Sequence, residues 1–207
     1  MAIALSLFLG THALSETVMM QNGGDTFIAG ESVSETLDRS GDVFISARTA
    51  NARGNARGDL HVTGFDVAID TETAEDLYGV GVSVRIGAKV GEDLTVAGFS
   101  VRTDPDAEIS VNARMFGRSV TIESPVTGSL TVMGQDVVLN SAIGGDAHIL
   151  GKSISFGPDA VVAGTLTYRA EAEITVPDRV APAERVVFEK FTYSDAWEDW
   201  EGIGKEM

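Results

Sequence analysis

The chain has 207 residues, with 31 acidic and 15 basic side chains and a formal net charge of −16 at pH 7. A charge of this sign and size repels a phosphate backbone, so it argues against nucleic acid as a partner. Cysteine is absent, which excludes disulfides, thiol chemistry and cysteine-bound metals.

The first fifteen residues resemble a secretory signal peptide. Residues 2–10 form an apolar run too short to cross a bilayer, and Ala13 and Ser15 are small residues suited to cleavage. The usual positive flank is missing, since Arg39 is the first basic residue. We therefore expect a signal peptide at 1–15, a short cap at 16–23, and export to the periplasm or cell envelope of a bacterium. The alternative is a cytoplasmic protein whose first coil is covered by this apolar segment.

From about residue 24 to residue 180 the sequence repeats at intervals of 17 or 19 residues. The repeats align on an anchor position, which alanine occupies at Ala47 and Ala170 and glycine occupies at Gly30, Gly64, Gly81, Gly98, Gly117, Gly134 and Gly151. A fixed short period built from strand-forming residues is the signature of a solenoid, whose units bury their apolar faces by stacking.

Three columns of the repeat are mostly apolar and alternate with polar columns. They lie four and two residues before the anchor and three residues after it, as at Leu94, Val96 and Val101. This period of two is typical of strands with one buried face. The pattern predicts an all-β fold: a single-stranded parallel β-helix of about nine coils over residues 24–182. Each coil is expected to run as strand, glycine corner, strand and a third side.

Aspartate recurs five residues before the anchor, as at Asp42, Asp59 and Asp76, with Asn112 and Ser129 in the same column. These short polar side chains suit the stabilisation of a turn through nearby backbone amides. A column of carboxylates also suits weak cation binding. The two 19-residue repeats each contain Pro-Asp-Ala, at residues 105–107 and 158–160, which predicts lengthened corners.

Two groups in the repeats are candidates for interaction with a partner. The outward column three residues before the anchor contains Phe27, Phe44, His61 and Tyr78, which predicts a strip of stacked aromatic rings. The second coil contains the basic residues Arg48, Arg53 and Arg57, which either bind an anionic envelope polymer or neutralise acids on adjacent coils.

No catalytic, cofactor-binding or metal-binding residues are predicted. His61 and His148 share a column but lie five coils apart, too far to hold one metal ion. A carbohydrate-active β-helix enzyme needs paired carboxylates in a cleft of long loops, whereas the longest additions to these corners are two residues. We therefore expect a protein that is not an enzyme.

Residues 183–207 depart from the repeat and contain Trp197 and Trp200 among acidic residues. A β-helix end exposes strand edges that must be covered, so we expect this segment to be a cap. A partner-binding or juxtamembrane tail is the alternative. No transmembrane helix is predicted.

The recurring frame, as in EDLTVAGFSV at residues 92–101 and SLTVMGQDVVL at residues 129–139, resembles the bactofilins, a family of polymer-forming cytoskeletal proteins. The resemblance covers residues 24–180. It implies a right-handed β-helix that assembles end to end into nucleotide-independent filaments and serves as a scaffold for envelope proteins, without catalytic residues. The exported start and the aromatic tail differ from the familiar bactofilins. They leave open an exported monomeric β-helix that acts as an adhesin or an envelope-binding stalk.

Overall fold

The computed structural model describes residues 17–192, and it confirms an all-β fold of stacked parallel strands. The described secondary structure is β1 (Val18–Asn22), β2 (Asp25–Arg39), β3 (Val43–Ala56), β4 (Leu60–Thr73), β5 (Leu77–Ile86), β6 (Lys89–Val90), β7 (Leu94–Thr103), β8 (Glu108–Ile109), β9 (Ala113–Ile122), β10 (Leu130–Leu139), β11 (Ala142–Ile143), β12 (Ala147–Phe156), β13 (Val161–Val162), β14 (Leu166–Ala170), a short 3-10 turn (Ala183–Arg185) and β15 (Val186–Lys190).

The strands pair column by column in the register that the repeat predicts. From β2 to β15 the long strands follow one another in parallel, so that Leu94 lies between Leu77 and Ala113, and Val101 between Val84 and Val120. Short strands and isolated bridges build a third side, where Ile109, Val126 and Ile143 stack on one another. Each coil therefore returns to its starting column one strand spacing further along the rod.

The core is a continuous stack of inward-facing side chains. The predicted inward columns are buried, with Leu94, Val96 and Val101 each at most 1% exposed. The last coil differs, because Glu173, which lies three residues after the anchor Ala170, is exposed. Inward residues of the second and third sides, such as Ile86 and Val90, are equally buried and complete the core.

Glycine occupies the anchor because neighbouring coils approach closely there. A Cβ added to Gly98 would lie 2.6 Å from the carbonyl oxygen of Gly81, and one added to Gly117 would lie 2.6 Å from that of Gly98. A real side chain therefore needs the corner to move away from the preceding coil. This close approach, rather than a special backbone dihedral, explains the glycine column.

The two ends of the stack are built differently. At the amino end, β1 turns back through Gly23 and Gly24, which have positive φ angles of 65° and 103°, and pairs antiparallel with β2. At the carboxyl end, β15 pairs parallel with β14 and begins a tenth coil. The sequence placed residues 186–190 in the tail, whereas the structure stacks them in register on the last repeat.

Candidate functional site

The predicted aromatic column forms a ladder of stacked rings. The ring centroids of Phe27 and Phe44, of Phe44 and His61, and of His61 and Tyr78 are 4.9, 4.5 and 4.7 Å apart, and adjacent planes differ by at most 8°. The ring spacing equals the strand spacing, so the in-register pairing of β2 to β5 produces the ladder. The ring faces therefore contact one another, and it is the ring edges that point outward.

The Tyr78 hydroxyl fixes the last ring of this ladder. It donates a hydrogen bond of 2.8 Å to Oδ2 of Asp76, two residues earlier on the same coil. This bond, together with partial burial and the negative charge of Asp76, raises the pKa of Tyr78 above its ordinary value. The phenol therefore stays protonated and anchored throughout the neutral range.

The three predicted arginines occupy three different positions of the second coil. Arg48 follows the anchor of the second coil, Arg53 lies ten residues after the first residue of β3, and Arg57 follows the end of that strand. All three side chains are exposed, and Nη2 of Arg57 lies 3.6 Å from Oδ1 of Asp38 on the preceding coil. Binding of an anionic polymer by these residues therefore stays a prediction.

The aspartate column joins neighbouring coils rather than closing local turns. Oδ1 of Asp42, Asp59 and Asp76 accepts a hydrogen bond of 2.9–3.0 Å from the backbone amide of the aspartate one coil later. Asn112 uses its side-chain oxygen in the same way for the amide of Ser129 at 3.0 Å. The predicted stabilisation of corners through backbone amides thus takes place between coils, because each of these side chains caps the corner of the next coil.

Asp93 carries the strongest interactions of this column. It accepts hydrogen bonds from the backbone and side-chain nitrogens of Asn112, both at 3.0 Å, and Nη1 of Arg114 lies 2.8 Å from its Oδ2. Burial alone would raise the pKa of Asp93, but the bonds from Arg114 and Asn112 outweigh it and hold the pKa below the ordinary value.

Sequence reasoning missed an arginine that spans three coils. The two terminal nitrogens of Arg85 lie 2.6 Å from Oδ2 of Asp70 and 2.5 Å from Oδ2 of Asp104, on the preceding and following coils. Gly87 leaves the space through which this side chain passes, since a Cβ there would collide with Asp70 and Arg85. Aligning the charges by column places Asp70, Gly87 and Asp104 at the same repeat position, a signal that was present in the sequence.

Sequence reasoning also missed a second exposed apolar column. Phe65, Val82 and Phe99 directly follow the anchors of three consecutive coils and remain 51, 41 and 56% exposed. The guanidinium carbon of Arg118, one coil further, lies 5.3 Å from the centre of the Phe99 ring. An alignment of the residues that directly follow the anchors would have predicted this exposed apolar column from the sequence.

The other sequence predictions concern metal binding, membrane spans and the two termini. The described residues contain no group of three or more histidines or carboxylates arranged to hold a metal ion. None of their helices is long and apolar enough to cross a membrane. Trp197, Trp200 and residues 1–15 lie outside the described residues.

Comparison with known proteins finds no match among protein-family models, curated proteins or solved structures. The bactofilin resemblance therefore stays a prediction based on the repeat frame.

Proposed function

We propose that this protein is a non-catalytic structural scaffold, similar to the bactofilins, that associates end to end in the cell envelope. The observation that carries the proposal is the incomplete last coil. The inward residues Val186 and Phe188 of β15 lie in the core columns but are only half-buried, whereas their counterparts Leu166 and Tyr168 are at most 1% exposed.

A further coil stacked on β15 would cover this apolar end. The Phe188 ring contacts the Tyr168 ring at 5.3 Å, and its opposite side has no described residue stacked on it. An edge strand also offers unpaired amides and carbonyls to an incoming strand. A second chain can supply both the apolar surface and the hydrogen bonds.

The amino end offers a complementary surface. Strand β1 contains no charged residue, and Val18, Met19 and Met20 are 60, 43 and 57% exposed. Natural edge strands usually carry charges or proline that discourage pairing, and β1 has neither. Contact between the two unlike ends of successive chains repeats without closing, which produces a filament.

Envelope proteins or envelope polymers are the partners that such a scaffold would hold. Mass determination of the mature amino terminus from the native host tests this location. Loss of residues 1–15 supports export, whereas an intact Met1 on cytoplasmic protein contradicts it.

Electron microscopy and sedimentation of the purified full chain test the assembly. We expect filaments from the native protein and none from Phe188→Glu, because a carboxylate at the open end opposes stacking of another coil. Phe99→Glu is the matched control, since it places the same charge on the side of the rod and should leave filaments intact.

Monomeric particles at all concentrations, both of the native protein and of a variant that lacks residues 193–207, would overturn self-assembly and favour the exported adhesin or stalk. Deleting residues 193–207 adds a second comparison. If these residues cover the carboxyl end, filaments form only after the deletion.

A further inference from the structure

One side of the rod differs in charge from the rest of the protein. The outward residues of the first sheet, here called the outer sheet face, lie three residues and one residue before each anchor. They are Phe27, Ala29, Phe44, Ser46, His61, Thr63, Tyr78, Val80, Thr95, Ala97, Arg114, Phe116, Thr131, Met133, His148, Leu150, Thr167, Arg169, Val187 and Glu189.

Acidic residues are almost absent from this face. The chain contains 31 of them, yet the outer sheet face carries one, Glu189 at the carboxyl end, and its Oε2 lies 2.5 Å from Nε of Arg169. Apart from this pair, Arg114 is the only aspartate, glutamate, lysine or arginine among these residues. A protein of net charge −16 repels a second copy over most of its surface, but this face is close to neutral.

The same face is apolar and grooved at both ends. Val80 and Met133 are 53 and 46% exposed, and Val18 and Met20 of β1 extend the face at the amino end. A groove of about 380 Å³ lies there between β1 and the aromatic ladder. A second groove of about 260 Å³, lined by Met133, His148 and Leu150, lies at the carboxyl half.

We propose that the outer sheet face binds the outer sheet face of a second copy of this chain, with the two rods antiparallel. This deepens the proposed self-association by adding a lateral contact to the end-to-end contact.

Sheets pack face to face about 10 Å apart, a distance that the exposed side chains here can fill. Eleven strands span ten spacings of about 4.8 Å, and with a width of about 15 Å this gives about 700 Å² per copy. The total of about 1,400 Å² is within the range of stable interfaces.

The antiparallel orientation follows from the contents of the two halves. A two-fold axis along β7 places the aromatic ladder of one copy against the half of the other that contains Arg114, His148 and Arg169. The guanidinium groups of Arg114 and Arg169 then face rings, a favourable pairing. In the middle, Thr95 and Ala97 are small and allow close approach.

Spin labels test the contact and its orientation, and the absence of native cysteine makes single labelling simple. Label pairs on Thr95→Cys should be less than about 20 Å apart, because the axis passes through β7. Label pairs on Thr167→Cys, four strands further along, should be about 40 Å apart. Short distances at both positions indicate parallel rods and overturn the orientation.

Sedimentation of charge variants tests the surface itself. Val80→Glu should weaken lateral dimerisation at least tenfold, because it introduces an acid facing the partner. Val161→Glu is the matched control: Val161 is a similarly exposed valine on the third side, and its substitution should leave dimerisation unchanged. Equal effects of the two variants overturn the proposal.

The lateral contact and the end-to-end contact can be tested independently of each other. Single-width filaments in the native protein, with no short distance at position 95, overturn the lateral contact and leave the end-to-end proposal standing. Paired rods that persist in Phe188→Glu support the lateral contact alone. A native protein that is monomeric and floats with neutral phosphatidylcholine vesicles, but not after Val80→Glu, would assign the face to a lipid surface instead.

Discussion

The outward column three residues before the anchor differs between the two halves of the rod. In the first four coils it holds four stacked rings, whereas in the next five it holds Thr95, Arg114, Thr131, His148 and Thr167. The inward columns on the other side of the same strands are buried and mostly apolar in both halves. The early coils are thus held together on both sides of the sheet, and the later coils mainly from inside.

In the carboxyl half, two arginine side chains contact backbone carbonyl oxygens near the last coils. Nη1 of Arg185 contacts the carbonyl oxygens of Val162, Ala163 and Gly164, and Arg179 reaches those of Pro158 and Ala160. These carbonyls belong to the third side near the last coils. The repeat therefore constrains the inside of the coil, while the outside is free to differ from coil to coil.

The largest expected effect concerns the anchor glycines. Gly98→Ala places a methyl group against the backbone carbonyl of Gly81, whereas the nearest obstruction to Gly151→Ala is the Ile154 side chain. A backbone must shift, while a side chain can rotate. We expect Gly98→Ala to lower the free energy of unfolding by about 2–3 kcal/mol and Gly151→Ala by less than about 1 kcal/mol. Urea denaturation of both variants measures the difference, and equal losses would contradict this account.

The second effect concerns the bonds of the aspartate column. Asp59→Ala removes the acceptor of the Asp76 amide at 3.0 Å, and an unpaired amide costs about 1–2 kcal/mol. Asp59→Asn is the control, because Asn112 performs the same role in its own coil. We expect nearly full rescue by asparagine in thermal unfolding. A loss as large as that of alanine would show that charge, rather than capping, matters at this position.

The repeat period and the buried columns could be predicted from the sequence because residues at the same repeat position stack on one another in neighbouring coils. Leu94, Val96 and Val101 are buried because every coil places the same kind of residue there. The site was harder to predict. Arg85 could be linked to Asp70 and Asp104 only by aligning charges across coils, and β15 was missed because residues 171–185 interrupt the period before it.

The third prediction compares two histidines of one column. His61 lies between two rings at 4.5 and 4.7 Å, whereas His148 lies outside the ladder and is exposed. His61→Thr, which copies Thr95 of a later coil, should therefore lower stability by about 1 kcal/mol through lost stacking. His148→Thr should change it by less than about 0.5 kcal/mol. Thermal unfolding at pH 8 separates the two, and a larger loss at His148 would mean that the ladder contributes little.

The smallest effect lies where the two halves meet, at the pair of Asp93 and Arg114. The pKa of Asp93 is lowered in the folded protein, so its carboxylate stabilises the fold fully above the unfolded value of 3.8 and progressively less as pH falls through the lower folded value. Asp93→Asn keeps the acceptor for the Asn112 amide and removes the charge. Both side chains of the pair are partly exposed, so the loss at pH 7 should be below about 1 kcal/mol. Denaturation midpoints of the native protein and the variant should converge as the pH falls below about 4, whereas a gap that stays constant with pH would exclude the carboxylate charge as its cause.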